Sequence, residues 1–188
     1  MIKELLKRIA TELQNNKLDY MIIGGQALLL YGEPRLTKDI DITLGVDINH
    51  LDKILEIVKK LKFSILPKDV EKFVAETSVL PVKDPETDMR IDFIFSWTPF
   101  EKEAIKRAKR IKIDDFYLNY ISAEDLIIQK LISNRPRDIE DVKSILLKQK
   151  KLDEKYIRTW LEIFSKTLDM DFLKMWEELK GFYSIKST

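Results

Sequence analysis

Between residues 39 and 44 the chain reads Asp-Ile-Asp-Ile-Thr-Leu, acidic and branched apolar residues alternating with a period of two. That period sends successive side chains to opposite faces of a β-strand. Ile40 and Ile42 then face one way, while Asp39 and Asp41 share the other face with Cα atoms about 6.5–7 Å apart. Acidic residues are poor strand formers, so a pair of them in mid-strand needs compensation. Like charges on a half-buried face repel unless something positive lies between them, and a divalent cation held by oxygen ligands is the simplest such object. The competing reading is an exposed strand face decorated with acids.

The pattern recurs at residues 90–96, Arg-Ile-Asp-Phe-Ile-Phe-Ser, with Ile91, Phe93 and Phe95 on one face and Asp92 on the other. Alone, Asp92 reads as a surface acid. If its strand lies beside the first, Asp39, Asp41 and Asp92 form the ligand set for one or two Mg²⁺ ions bridging a triphosphate and an attacking hydroxyl.

Around these strands the apolar spacing predicts an amphipathic helix from the N-terminus to Asn15 or Asn16, through Ile2, Leu5, Leu6, Ile9 and Leu13. A strand over 20–23, a glycine turn at Gly24 and Gly25 and a helix over 27–31 follow. Asn49 is placed to cap a helix carrying Leu51, Ile54, Leu55, Val58 and Leu61. Beyond it come strands over 63–66 and 78–82, the latter weakened by Pro81, with a short helix over 70–75 between them and a polar turn over 83–88. A basic helix over 101–110 and strands over 111–113 and 117–120 complete the first part. After Ser122 four helices are expected, over 123–132, 137–147, 154–164 and 172–179. The resulting division is 1–121 for a core and 122–188 for a helical portion.

Composition narrows the chemistry. Lys and Arg number 33 against 32 Asp and Glu, a net charge of +1, so no overall positive field recommends a non-specific nucleic-acid binder. With no cysteine and only His50, thiolate and His-rich metal sites are excluded, and any metal must be held by carboxylates. The charged N-terminus lacks the features of a secretory signal, and apolar runs such as 27–31 fall far below the ~20 residues that span a bilayer, so a cytoplasmic, non-membrane protein is expected. His50 reads as a helix-start or surface residue. Trp97, Trp160 and Trp176 read as core or helix-contact residues, and the basic run over 102–112 as a solvated face blunted by Glu101, Glu103, Asp114 and Asp115.

The segment Ile-Ile-Gly-Gly-Gln-Ala-Leu-Leu-Leu-Tyr-Gly-Glu-Pro-Arg-Leu-Thr-Lys-Asp-Ile-Asp-Ile, with the later Arg-Ile-Asp-Phe, resembles the nucleotidyltransferases of the DNA polymerase β superfamily over roughly residues 19–141. Within it the chain is most similar to small stand-alone proteins related to AbiEii-type toxins and to antibiotic nucleotidyltransferases. The resemblance implies an α/β (α+β) nucleotidyltransferase fold, a mixed sheet flanked by helices and followed by a C-terminal helical portion. It implies transfer of an NMP group from an NTP to an acceptor hydroxyl with release of pyrophosphate, ATP being one such donor. Asp39, Asp41 and Asp92 would be catalytic and hold Mg²⁺ or Mn²⁺, and Gly24 and Gly25 would admit the triphosphate beside a helix N-terminus.

Arg35 would hold a nucleotide phosphate, the alternative being a loop cation balancing Asp39; Thr37 would help start the strand. Lys130, in a helical Asp-Leu-Ile-Ile-Gln-Lys followed by Arg-Pro-Arg-Asp, would by analogy be a triphosphate ligand, against a solvated helix lysine. Asp138 and Asp141 share a helical face near Arg135 and Arg137, as phosphate ligands or as a salt-bridged surface. The acceptor is a small molecule, a protein or a tRNA, and an antitoxin partner is possible. A catalytically silent nucleotide-binding or partner-binding protein of the same fold, such as a toxin–antitoxin component, is the alternative class.

Overall fold

The computed structural model describes residues 2–185 and divides into two compact units, Met1–Gln26 with Leu36–Ile121, and Ala27–Arg35 with Ser122–Thr188. The first unit holds a seven-stranded mixed sheet: β1 (Tyr20–Ile22), β2 (Asp39–Leu44), β3 (Ser64–Ile65), β4 (Val79–Lys83), β5 (Arg90–Phe95), β6 (Lys109–Ile113) and β7 (Phe116–Tyr120), in the order β3-β4-β5-β2-β1-β7-β6. The β2–β5 and β1–β7 pairs are parallel and the other four antiparallel.

One face of the sheet is the core. Ile22 lies opposite Ile42, Ile40 opposite Ile91, Ile42 opposite Phe93 and Leu80 opposite Phe93, and all of these are at most 1% exposed. Helix α1 (Ile2–Asn15) buries Leu5, Leu6, Ile9, Ala10 and Leu13, the stripe its spacing predicts. Helix α3 (Leu51–Lys60) buries Ile54, Ile57 and Val58, and α1 is tied to it through Lys53 Nζ donating to the Asn16 carbonyl (2.9 Å) and a Lys60–Glu12 ion pair (2.7 Å). At 25 cal/mol per Å² these apolar stripes are each worth several kcal/mol of burial.

Three local expectations are corrected. Asn49 does not cap α3: Asp47 caps a 3₁₀ turn, Ile48–His50, by accepting the Asn49 N–H (3.1 Å), and α3 continues from that turn. The helix expected over 101–110 is α5 (Pro99–Lys106), started by a reciprocal capping box between Thr98 and Glu101. It stops early because 109–113 pairs with β7 as a hairpin, where Arg110 lies over the Tyr117 ring at 4.2 Å; a paired strand outweighs the helical preference of a basic run. Gly24 and Gly25 are not a separate turn but the first turn of α2 (Gly24–Tyr31).

Pro81 is buried in mid-strand between β3 and β5, which a proline tolerates only where no ladder donor is needed. Its carbonyl accepts from Leu66 N (3.1 Å) on the β3 side, and its nitrogen points the same way, past the short end of β3. Pairing with β5 therefore loses nothing. Between β4 and β5 the turn is held by Asp84, fully buried, whose Oδ2 accepts from Thr87 N (3.2 Å) and Oγ1 (2.6 Å), with Arg8 Nη1 at 3.5 Å from Oδ1. Helix α4 (Val70–Thr77), capped by Asp69, leads into β4.

The second unit contains the end of α2, α6 (Ala123–Ser133), α7 (Pro136–Lys148), α8 (Glu154–Leu168) and α9 (Phe172–Ile185). Leu131, Val142, Ile145, Ile157, Leu161, Phe172 and Trp176 are buried at 1% exposure or less. Residues 31–33 are bound to α7 and its end by Lys148 Nζ and Gln149 Nε2 donating to the carbonyls of Gly32 (3.0 Å) and Tyr31 (3.1 Å), and by Glu33 N donating to Ser144 Oγ (3.1 Å). No helix among the described residues is long and apolar enough to cross a membrane.

Candidate active site

Strands β2 and β5 run parallel and in register along their whole length, Asp39 opposite Arg90 and Asp41 opposite Asp92. Residues paired this way point to the same face, so Asp39, Asp41, Arg90 and Asp92 occupy one patch on the side away from the core. Asp41 and Asp92 are half-buried and Asp39 is exposed. The positive charge that the acid pair requires comes from Arg90, whose Nε donates to Asp92 Oδ1 at 2.8 Å. Its guanidinium is held above the ordinary arginine value, first by that hydrogen bond, then, against a lowering by burial, by attraction to Asp92, Asp39 and Asp41.

The start of α2 meets this patch from the β1 side. Ile23 N donates to the Asp41 carbonyl (3.0 Å), and Gly24 follows with φ +62, a left-handed conformation. A Cβ on Gly24 would lie 3.1 Å from Asp41 Cγ and overlap the carboxylate oxygen Oδ2. Only glycine satisfies both conditions. The bare backbone of the helix start is thereby brought against a carboxylate, with Gly25 buried behind it. One turn on, Gln26, 4% exposed, donates from Nε2 to Thr37 Oγ1 (2.8 Å) and links the glycine helix to the segment that enters β2.

Asp39, Asp41 and Asp92 offer hard oxygen donors on one face, and Arg90 shows that the face accepts a cation, so the donor chemistry fits a divalent ion. They meet as a side-by-side pair, Asp41 and Asp92, with Asp39 beside Arg90. Among the described residues no group of three or more carboxylate or imidazole side chains already stands as a metal cage.

Arg35 and Lys130 lie in the second unit, in a network of their own. Lys130 Nζ, on a side chain 5% exposed, donates to Asp138 Oδ1 (3.0 Å) and Asp141 Oδ2 (2.6 Å). Arg35 grips Asp141 through Nε (3.0 Å to Oδ1) and Nη2 (3.0 Å to Oδ2), so its carboxylate partner is Asp141 and not Asp39. Ser133 Oγ (2.7 Å) and Arg135 Nε also donate to Asp138 Oδ2. Burial alone would raise the Asp138 carboxyl, but the bonds from Arg135, Ser133 and Lys130 outweigh it and bring it to about 2. Lys130 is therefore no solvated helix lysine, and Asp138 and Asp141 are no plain surface.

Among the remaining features, Trp97 departs from its expected place: it is 68% exposed, ahead of the Thr98 cap, where its N–H donates to Glu101 Oε2 (3.0 Å). Trp176 is buried, and Trp160 stacks edge-on to Tyr156 (centroids 6.5 Å apart). His50 lies against Asp47 on the surface, as a helix-start residue. Sequence reasoning overlooked Arg90 as a member of the patch, although its spacing of two from Asp92 on a strand carries that information. Gln26 left no signal, because its partner Thr37 is brought to it only by the fold.

A family model described as nucleotidyltransferase of unknown function (DUF6036) matches residues 1–184. No curated protein matches the sequence. Among solved structures, the antibiotic-resistance factor ANT(2'')-Ia in solution is similar with a TM-score of 0.62 at 17% identity, over 88% of this chain and 92% of that one. An antigenic nucleotidyltransferase-like protein from Paracoccidioides brasiliensis gives 0.58 at 19% identity, over 88% and 87%. The lincomycin-bound lincosamide antibiotic adenylyltransferase LnuA gives 0.55 at 18% identity, over 77% and 96%. At such identities the likeness is one of fold.

Proposed function

Because this chain belongs to the nucleotidyltransferase family whose model spans residues 1–184, we propose that it transfers a nucleoside monophosphate from an NTP to an acceptor hydroxyl. The observation that carries the reading is the in-register placement of Asp41 beside Asp92 with the Gly24 backbone against Asp41. In the proposed reaction the acceptor oxygen forms a bond to the α-phosphorus and the bond to pyrophosphate breaks. Pyrophosphate leaves with the bonding electrons, and the hydroxyl proton passes to Asp92 or to water.

Asp39, Asp41 and Asp92 would hold Mg²⁺ or Mn²⁺, which when bound neutralises phosphate charge and orients donor and acceptor. The chain's own residues supply the rest. Gly24 and Gly25 leave room and backbone N–H groups for the phosphates at the start of α2. Asp92, freed from Arg90, faces the acceptor. Catalysis by positioning and charge neutralisation needs no covalent enzyme intermediate. Arg35 and Lys130 would serve as phosphate-facing cations only by exchanging their bonds to Asp138 and Asp141 for bonds to the nucleotide, so their assignment to the nucleotide is the most demanding part of the proposal.

ANT(2'')-Ia is an antibiotic-resistance factor and LnuA a lincosamide antibiotic adenylyltransferase, which makes a small molecule the first acceptor class to examine, ahead of a protein or a tRNA. The test incubates the protein with each radiolabelled NTP, Mg²⁺ or Mn²⁺ and a cell extract, beside the double variant Asp39→Ala, Asp41→Ala. Transfer that falls by about 100-fold or more in the variant supports the proposal. Nucleotide binding unchanged by the substitutions, with no transfer under any condition, favours a silent nucleotide-binding or partner-binding protein, a toxin–antitoxin component among them.

A further inference from the structure

A groove of about 440 Å³ opens beside the acid patch on the side opposite Gly24, and it lies wholly within the first unit. Its floor is apolar, with Pro81 under the exposed side chains of Leu66 (45%) and Phe73 (36%). Its wall toward the patch is Arg90. The register places it: Pro81 is opposite Asp92 on β5, Asp92 is opposite Asp41 on β2, and Asp41 touches the start of α2 beyond β1. Groove, Asp92, Asp41 and Gly24 thus follow one another across neighbouring strands spaced about 4.8 Å apart. In-line displacement at phosphorus needs the entering oxygen and the leaving group on opposite sides of the transferred group. With phosphates at Gly24, the entering oxygen must arrive from the Asp92 side, where the groove is.

The charges of the lining select what enters. Asp69 is engaged as the cap of α4, accepting from Lys72 N (3.1 Å), and Arg90 is engaged by Asp92. Together the lining carries Lys68, Lys72 and Arg90 against Asp69 and Glu76, one positive charge more than negative over an apolar floor. We propose that this groove is the acceptor site and that it takes a small hydroxyl compound with an apolar or aromatic body and an anionic group, held by Phe73, Lys68 and Lys72 with its hydroxyl toward Asp92. This rests on the nucleotidyltransferase reading of the acid patch. A volume of this size holds a molecule of one or two rings, and a polycation is disfavoured there by Lys68, Lys72 and Arg90.

Two measurements on the full chain test it. Amide spectra are titrated with 4-hydroxyphenylacetate and with its cationic counterpart, tyramine. The expected result is movement confined to residues 66–76 and their strand neighbours, with the anion bound about tenfold more tightly. In the variant Lys68→Glu, Lys72→Glu the order inverts, and in Phe73→Ala both bind about tenfold more weakly. Equal binding of the two probes, or no movement at 66–76 with either, overturns the proposal. Label transfer from NTP in cell extract is then measured with the same variants, whose nucleotide affinity should be unaltered. If transfer depends on Asp39 and Asp41 but equals wild type in both groove variants, the acceptor enters elsewhere and the transferase reading stands. If the groove binds anions as described but no transfer occurs, it is the transferase reading that fails.

Discussion

Replacing Lys130 by Met keeps the length of the side chain and removes its charge, which makes it a clean probe of the buried network in the second unit. Lys130 bonds to Asp138 and Asp141 at 3.0 and 2.6 Å, and all three side chains are at most 6% exposed. Removing one partner from a buried pair costs about 3–5 kcal/mol, because a charge is left uncompensated. Here Arg35 still grips Asp141, and Arg135 and Ser133 still grip Asp138, so the expected loss is smaller, about 2–3 kcal/mol. At roughly 2–4 °C per kcal/mol for a chain of this size, the melting temperature should drop by about 4–12 °C at pH 7.

The loss must also depend on pH. The Asp138 carboxyl sits at about 2 in the folded protein against 3.8 for the ordinary side chain. A depressed carboxyl contributes stability that is fully present above 3.8 and is lost as pH falls toward 2, about 2 kcal/mol in all. The penalty of Lys130→Met should therefore be complete at pH 7 and shrink between pH 4 and pH 2, as protonation neutralises the Asp138 carboxylate that has lost its lysine. Adding Asp138→Asn and Asp141→Asn should return part of the lost stability. Thermal and urea unfolding followed by circular dichroism measure all of these. A Lys130→Met protein that melts with wild type at pH 7, or whose penalty is the same at pH 3 as at pH 7, would refute the assignment of Lys130 to a buried structural pair.

Two further outcomes follow from the acid patch. Gly24→Ala combines a left-handed φ with overlap on Asp41, so it should lower stability by about 1–3 kcal/mol and cut nucleotide transfer by about 100-fold through displacement of that carboxylate; unchanged melting and transfer would show the close approach to be unimportant. Arg90→Gln removes the resident cation of the patch, and because Arg90 is half-exposed stability should change by less than about 1 kcal/mol. Mn²⁺ binding, followed by the electron paramagnetic resonance of the free ion, should tighten about fivefold; equal or weaker binding would show that Arg90 does not occupy the cation's place.

Much of the first unit was legible because its information is local. A period of two in 39–44 and 90–96 is a property of the pleat, and the observed strands are Asp39–Leu44 and Arg90–Phe95. The stripe of α1 and, in the second unit, the four helices after Ser122 follow from an apolar period near 3.6. What misled was local preference opposed by a distant partner: 107–110 is basic and helix-compatible, yet 109 and 110 pair with 119 and 120. Asn49 had the right chemistry for a cap, but Asp47 reached the turn first.

What the amino-acid order alone determined is which side chains share a face, since neighbours two apart on a strand or three to four apart on a helix are placed by backbone geometry. It thereby paired Asp39 with Asp41 and Arg90 with Asp92. Only the tertiary structure decided that these two pairs lie on adjacent strands in register, that the Gly24 backbone closes on Asp41, and that Lys130 spends its charge on Asp138 and Asp141. Register between strands some fifty residues apart is set by the summed burial of Ile40, Ile42, Ile91 and Phe93 on the opposite face, an energy that belongs to no single segment.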